Sequence, residues 1–215
     1  MIVRSLILDL DGTLIDSRPG ILESLAVAAS AVFPGINFDP TTVRLGPPVR
    51  GMFEISFPKA SQAEIGKLVF AFRESYDSGA ALKTELYEGA RDVLAKCQQR
   101  SIDLYIATNK PAQISSAILA HFKIEHFFRQ VMAADSTEPP FASKAAIIFH
   151  LMRTHQLNPA ATLYVGDSME DTSAAAECGV GFVWAAYGYG KLDARTAATP
   201  GRSIEALGEL HRFLD

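Results

Sequence analysis

The sequence predicts an α/β protein: a doubly wound parallel sheet with a small helical domain inserted after the first strand. Three observations carry this prediction. Short apolar runs end in glycine or acidic residues, helical patterns lie between those runs, and the alternation breaks off between residues 16 and 85.

Residues 2–8 are apolar apart from Arg4 and Ser5 and stop at Asp9-Leu10-Asp11-Gly12-Thr13. A short apolar run closed by a glycine turn is how a strand buried on both faces reads. Residues 102–107, 161–165 and 180–185 repeat the pattern, and 130–133 form a weaker fifth run. The spacing predicts helices over 88–100, 112–122 and 144–155. Pro111 is placed for the first turn of the second, and Asn158-Pro159 stops the third. In the insert, Ile21, Leu25, Ala29 and Val32 fall on one helical face, and Ile65, Leu68, Val69 and Phe72 on another. Ser61 followed by Glu64 is a capping box for the second of these helices, and Gly46-Pro47-Pro48 is a rigid turn. The expected boundaries are therefore 1–15 and 86–215 for the α/β core and 16–85 for the helical domain. Residues 194–201 read as a weakly patterned loop.

Composition narrows the function. The 215 residues are 48% hydrophobic and 20% charged, with a net charge of −4, as in an ordinary globular protein. No broad basic field exists to attract nucleic acid or anionic lipid, so neither is expected as a partner. No stretch is long and apolar enough to span a bilayer, and nothing reads as a secretory signal, so the expected location is the cytoplasm. Cys97 and Cys178 lie far apart and are expected to be buried apolar residues rather than a disulfide or a zinc site. The five histidines form no ligand-like set, and Trp184 is expected in the core. Composition leaves monomer and homodimer equally open.

Ligands of open α/β sheets bind beyond the carboxyl ends of the strands. Those ends carry Asp9 and Asp11 after the first run, Thr108 and Asn109 after the second, and Asp167, Glu170 and Asp171 after the run 161–165. Lys144 opens the helix before that run. Carboxylates crowded together repel unless a hard cation neutralises them, and an all-oxygen set suits magnesium. Asp9 can then attack an electrophilic phosphorus as a carboxylate nucleophile. Lys144, Thr108 and the amides of the Asp11-Gly12-Thr13 turn would meet charge on the phosphoryl oxygens. Asp11 reaches the same site only if the chain turns after it, which Gly12 permits; it would then act as acid and base.

Asp9-Leu10-Asp11-Gly12-Thr13 resembles the first motif of the haloacid dehalogenase-like hydrolase superfamily. Thr108, in Ala107-Thr108-Asn109-Lys110, resembles the second motif, Lys144 the third, and Gly166-Asp167-Ser168-Met169-Glu170-Asp171 the fourth. The resemblance implies a nucleophile at Asp9, an acid/base at Asp11, and phosphate held by Thr108 and Lys144. It also implies magnesium bound by the Asp9 and Asp167 side chains and the Asp11 main-chain carbonyl, with Asp171 in support. The insert corresponds to a helical cap. The Thr108-Asn109-Lys110 and Gly46-Pro47-Pro48-Val49 segments look most like phosphoglycolate phosphatase-like members. The Lys-Pro segment of many such members is replaced by Glu138-Pro139-Pro140, so Lys110 is the alternative to Lys144 as the site lysine.

Plainer roles fit some of these residues as well. Asp167 suits a helix N-cap and Asp171 a first-turn acid facing the helix dipole. Arg44 and Arg50, flanking the Gly-Pro-Pro turn, would either meet a second anionic group of the substrate or lie on the surface. The expected activity is hydrolysis of a small phosphorylated metabolite such as 2-phosphoglycolate. A sugar phosphomutase on the same scaffold is the alternative, and a non-enzymatic receiver-like module is disfavoured by the large insert. Asp11 argues against dehalogenation, and no cap lysine is singled out for a phosphonate-cleaving Schiff base.

Overall fold

A computed structural model describes residues 2–190 and 202–214. The loop expected at 194–201 lies outside the described residues. The chain divides into two compact units, Met1–Asp16 with Leu86–Asp215, and Ser17–Glu85.

The first unit is built on a six-stranded sheet. Its strands are β1 (Ser5–Leu8), β4 (Asp103–Thr108), β5 (Phe128–Ala133), β6 (Thr162–Gly166), β7 (Gly181–Ala185) and β8 (Ser203–Ile204). They lie in the order β5-β4-β1-β6-β7-β8, and every neighbouring pair is parallel. Two short strands, β2 (Ile15–Asp16) and β3 (Glu85–Leu86), pair separately where the chain leaves and re-enters this unit. The helices between the sheet strands are α4 (Ala90–Gln99), α5 (Ala112–His121), α6 (Lys144–Thr154) and α7 (Met169–Cys178). Leu6, Ile7 and Leu8 are all fully buried, which is why β1 reads as an unbroken apolar run. Ile7 packs with Tyr105, Tyr164, Ile148, Leu151 and Ala174 on one side of the sheet. Cys97, Cys178 and Trp184 are buried, and both cysteines are free thiols.

Some details differ from the sequence reading for local reasons. Helix α4 starts at Ala90 rather than at 88, because Gly89 sits in the left-handed region at φ 80°. Pro111 lies one position before α5 instead of inside its first turn. Strand β5 extends back to Phe128, since its half-exposed first residues carry too little apolar signal to be read.

The second unit is helical, with α1 (Arg18–Val32), α2 (Val49–Ser56) and α3 (Gln62–Asp77). The capping box is present: Glu64 N–H donates to Ser61 Oγ, and Ser61 N–H donates to Glu64 Oε2. Ile65, Leu68, Phe72 and Tyr76 form the buried stripe of α3, while Val69 is only half-buried. On α1 the buried face is Gly20, Ser24, Leu25, Ala28 and Ala29, rotated slightly from the expected one. Gly20 lies against the main chain of Ala80, an approach that no Cβ would allow. Helix α2 has no counterpart in the sequence reading. It is short and contains Gly51; its buried residues are Met52 and Phe53, and the Phe53 ring packs with those of Phe57 and Phe72. No helix among the described residues is long and apolar enough to cross a membrane.

Candidate active site

Strand register brings the site together. Leu8 pairs with Ile106 on one side and Val165 on the other, so residues 9–11, 108–110 and 166–168 emerge side by side from three adjacent strands. The chain reverses sheet direction about β1, with β4 and β5 to one side and β6 to β8 to the other. This is the switch point at which such sheets bind ligands. After β1 the main chain turns sharply. The Leu10 carbonyl accepts from the amides of Thr13, Leu14 and Ile15, and Gly12 adopts φ 78°. A Cβ at Gly12 would run into the Asp167 carboxylate, so glycine is required both for the turn and for the approach.

Asp9, Asp167 and Asp171 are 7%, 3% and 0% exposed, and each offers a carboxylate oxygen within 4.8 Å of the others. Lys144, at the first position of α6 and 3% exposed, reaches them: its Nζ donates to Asp9 Oδ1 at 2.7 Å and lies 3.0 Å from Asp171 Oδ1. Asp171 is saturated by neighbours. Tyr164 Oη donates to its Oδ1 at 2.5 Å, and the Ser168 amide and hydroxyl donate to its Oδ2, making a capping box that starts α7. Asp167 Oδ2 accepts from the amides of Tyr189 and Gly190.

Burial holds the Asp9 carboxyl well above its usual range, against the pull of Lys144. Burial likewise pushes Asp167 up to about 6. For Asp171 burial acts in the same direction, but Lys144, Ser168 and Tyr164 together hold it below the ordinary value. Burial disfavours the Lys144 ammonium, yet Asp171 and Asp9 outweigh it and keep the proton on. With all three ionised, these buried carboxylates beside one ammonium would leave two negative charges uncompensated, a state that is costly without a partner and that raises the Asp9 and Asp167 carboxyls. A divalent hard cation with oxygen ligands fits this donor set, through Asp167 Oδ1 and the second lone pair of Asp9 Oδ1.

Asp11 takes a different partner. Lys110 Nζ lies 2.9 and 3.1 Å from its two carboxylate oxygens, and the lysine is buried. The structure therefore assigns the two candidate lysines separately, Lys144 to Asp9 and Lys110 to Asp11. Because the Asp11 side chain goes to Lys110, it is not one of the clustered acids; the metal role implied for this residue runs through its main-chain carbonyl. Thr108 is buried, and its Oγ1 accepts from the Lys110 amide at 3.1 Å. Asn109 is exposed and donates to Glu170 Oε2 at 2.9 Å. The Gly12 amide, expected to face phosphate, is instead given to the Ile15 carbonyl at 2.9 Å, which makes the glycine's part conformational. Arg44 and Arg50 are exposed side chains of the helical unit. Arg50 donates to Gln62 Oε1 at 3.2 Å and lies 3.9 Å from Glu54 Oε1.

Tyr164 was invisible as a site residue in the sequence, since it sits inside an apolar strand and reads as core. The Gly188-Tyr189-Gly190 segment is readable in the sequence as a Gly-Tyr-Gly loop beyond the last apolar run, near the rim of the site, but its contact with Asp167 is not.

The family model for haloacid dehalogenase-like hydrolases matches residues 6–185. Among curated proteins, the chain is 31% identical over 209 residues to the tyrosine-protein kinase PtkA of Mycobacterium tuberculosis, covering 94% of this chain and 70% of that one. The solved structure of that protein superposes with a TM-score of 0.84 at 28% identity, covering 99% and 98% of the two chains. The chain is 28% identical over 215 residues to a 5'-nucleotidase of Pseudomonas aeruginosa, with 98% and 95% covered. It is 29% identical over 222 residues to a phosphoglycolate phosphatase of Photobacterium profundum, with 97% and 94% covered.

Proposed function

The chain belongs to the haloacid dehalogenase-like hydrolase family, and from that premise we propose that it is a magnesium-dependent phosphatase of small phosphate monoesters with Asp9 as its nucleophile. The observation that carries this reading is the buried trio Asp9, Asp167 and Asp171 with Lys144 set among them. The relatives named as a phosphoglycolate phosphatase and a 5'-nucleotidase support the substrate class, a compact metabolite bearing one phosphate.

Bound magnesium would neutralise the acids and draw charge from the phosphoryl oxygens. Lys144 holds Asp9 Oδ1, which leaves Oδ2 to attack phosphorus. The new bond joins Oδ2 to phosphorus as the bond from phosphorus to the ester oxygen breaks, and Asp11, entering this step in its protonated form, gives that oxygen its proton. In the second half Asp11 takes a proton from water, whose oxygen attacks the phosphorus of the aspartyl phosphate and frees Asp9 and inorganic phosphate. Lys110, held against Asp11, fixes that carboxylate at the β4 side of the turn. Lys144 also meets charge that develops on the transferring group.

A second reading rests on the 31% identity to a protein named as a tyrosine kinase. The same aspartyl phosphate could be handed to a hydroxyl acceptor instead of water, as in a mutase or kinase-like transfer. The test is a panel of phosphate monoesters, 2-phosphoglycolate and nucleoside monophosphates first, assayed with magnesium beside Asp9→Asn. Phosphate release by the native protein that Asp9→Asn abolishes supports the proposal. Undiminished release by the variant removes Asp9 as nucleophile, and phosphate transferred to an acceptor without release favours the second reading.

A further inference from the structure

Residues 187–190, just beyond β7, fold back onto the loop that follows β6. Tyr189 N–H donates to Asp167 Oδ2 at 2.5 Å and Gly190 N–H to the same oxygen at 3.2 Å. Two tyrosine hydroxyls pin the segment: Tyr187 Oη donates to the Thr13 carbonyl at 2.7 Å, and Tyr189 Oη to Asp16 Oδ1 at 2.9 Å. The glycines mark where the backbone comes closest. A Cβ at Gly188 would run into the Asp167 side chain and the Gly12 carbonyl, and one at Gly190 into the Asp167 carbonyl. Neither glycine is in the left-handed region, so the reason for glycine here is close approach and not backbone conformation.

Two amides on one carboxylate oxygen fill its acceptor sites and fix the plane of the group. Asp167 Oδ1 accepts from no described residue. We propose that the 187–190 segment is a positioning element for the cation: by engaging Oδ2 with main-chain amides, it presents Oδ1 of Asp167 as a single, pre-oriented ligand oxygen. The inference rests on the reading of Asp167 as a cation ligand given above. The order of the carboxylate is built into the protein before the cation arrives, so less freedom is lost on binding. Outer partners of ligating groups typically alter metal affinity by about 10- to 100-fold.

The test is calorimetric titration of the purified protein with magnesium chloride, run on native protein, on Gly190→Ala, and on the double variant Tyr187→Phe/Tyr189→Phe. The double variant keeps both glycines and both amides and removes only the hydroxyl anchors. We expect the magnesium dissociation constant to rise about tenfold or more in Gly190→Ala and about threefold in the double variant. Turnover should recover in both as magnesium is raised. Thermal unfolding in chelator separates a purely structural role, which would lower the melting temperature and leave the dissociation constant alone. Native affinity in the folded variants overturns the inference, and the double variant decides alone if Gly190→Ala does not fold. A native protein that binds no magnesium overturns the functional reading together with this one, whereas native binding with unchanged variants overturns only this one.

Discussion

Replacing Lys144 by methionine would test the electrostatic core of the site. The Lys144 side chain is 3% exposed, and its Nζ lies 2.7 Å from Asp9 Oδ1 and 3.0 Å from Asp171 Oδ1. Methionine keeps the length and apolar stem and removes the charge, leaving three buried carboxylates with no protein cation among them. Breaking a buried pair by deleting one partner destabilises by about 3–5 kcal/mol. A chain of this size loses about 2–4 °C in melting temperature per kcal/mol, so the expected fall is about 6–20 °C in chelator. Millimolar magnesium should return much of that loss, and should raise the melting temperature of Lys144→Met by more than that of the native protein. The reason is that the variant's acids carry one more uncompensated charge for the cation to neutralise. The assay is thermal unfolding followed by circular dichroism near neutral pH, with chelator and with magnesium. A variant that melts within about 2 °C of native in chelator, as exposed substitutions do, would show that Lys144 is an ordinary helix lysine and would refute the charge argument.

Acidity supplies the next prediction. Asp167 titrates at about 6 in the fold against 3.8 for its ordinary value. A raised carboxyl favours the fold where it is protonated, so its contribution is fully present below the lower value and is lost as pH rises through about 6. The loss is worth about 3 kcal/mol. Denaturant midpoints measured between these pH values in chelator should fall for the native protein and fall less for Asp167→Asn; equal slopes would contradict the assignment. Tyr164→Phe removes the donor to Asp171 Oδ1 and leaves Ser168 and Lys144 in place. It should cost about 2 kcal/mol in a urea titration while retaining measurable turnover, and an unchanged midpoint would mean the hydroxyl contributes nothing.

Much of the architecture was legible along the chain because the relevant signals are local. Burial on both faces makes β1 and β6 read as apolar runs, and the parallel order carries their ends to one edge, so Asp9 and Asp167 could be named as neighbours from strand ends alone. The capping box at Ser61 and Glu64 was likewise readable, since both partners lie within one helical turn. The pairing of lysines with acids could not be read. Lys144 and Asp9 are 135 residues apart, and Lys110 and Asp11 are 99 apart. Either lysine, judged from sequence, could have served either acid.

The sequence by itself determined the residue types at the strand ends, and with them the chemistry available: carboxylates, an ammonium, a hydroxyl and a glycine turn. Only the tertiary structure decided which oxygen of each carboxylate is engaged. Tyr164 and Ser168 saturate Asp171, and the Tyr189 and Gly190 amides hold Oδ2 of Asp167. The physical reason is directional. Burial and periodicity fix how residues are distributed between core and surface, whereas a hydrogen bond depends on an angle and about 3 Å of reach between groups that only strand packing brings together.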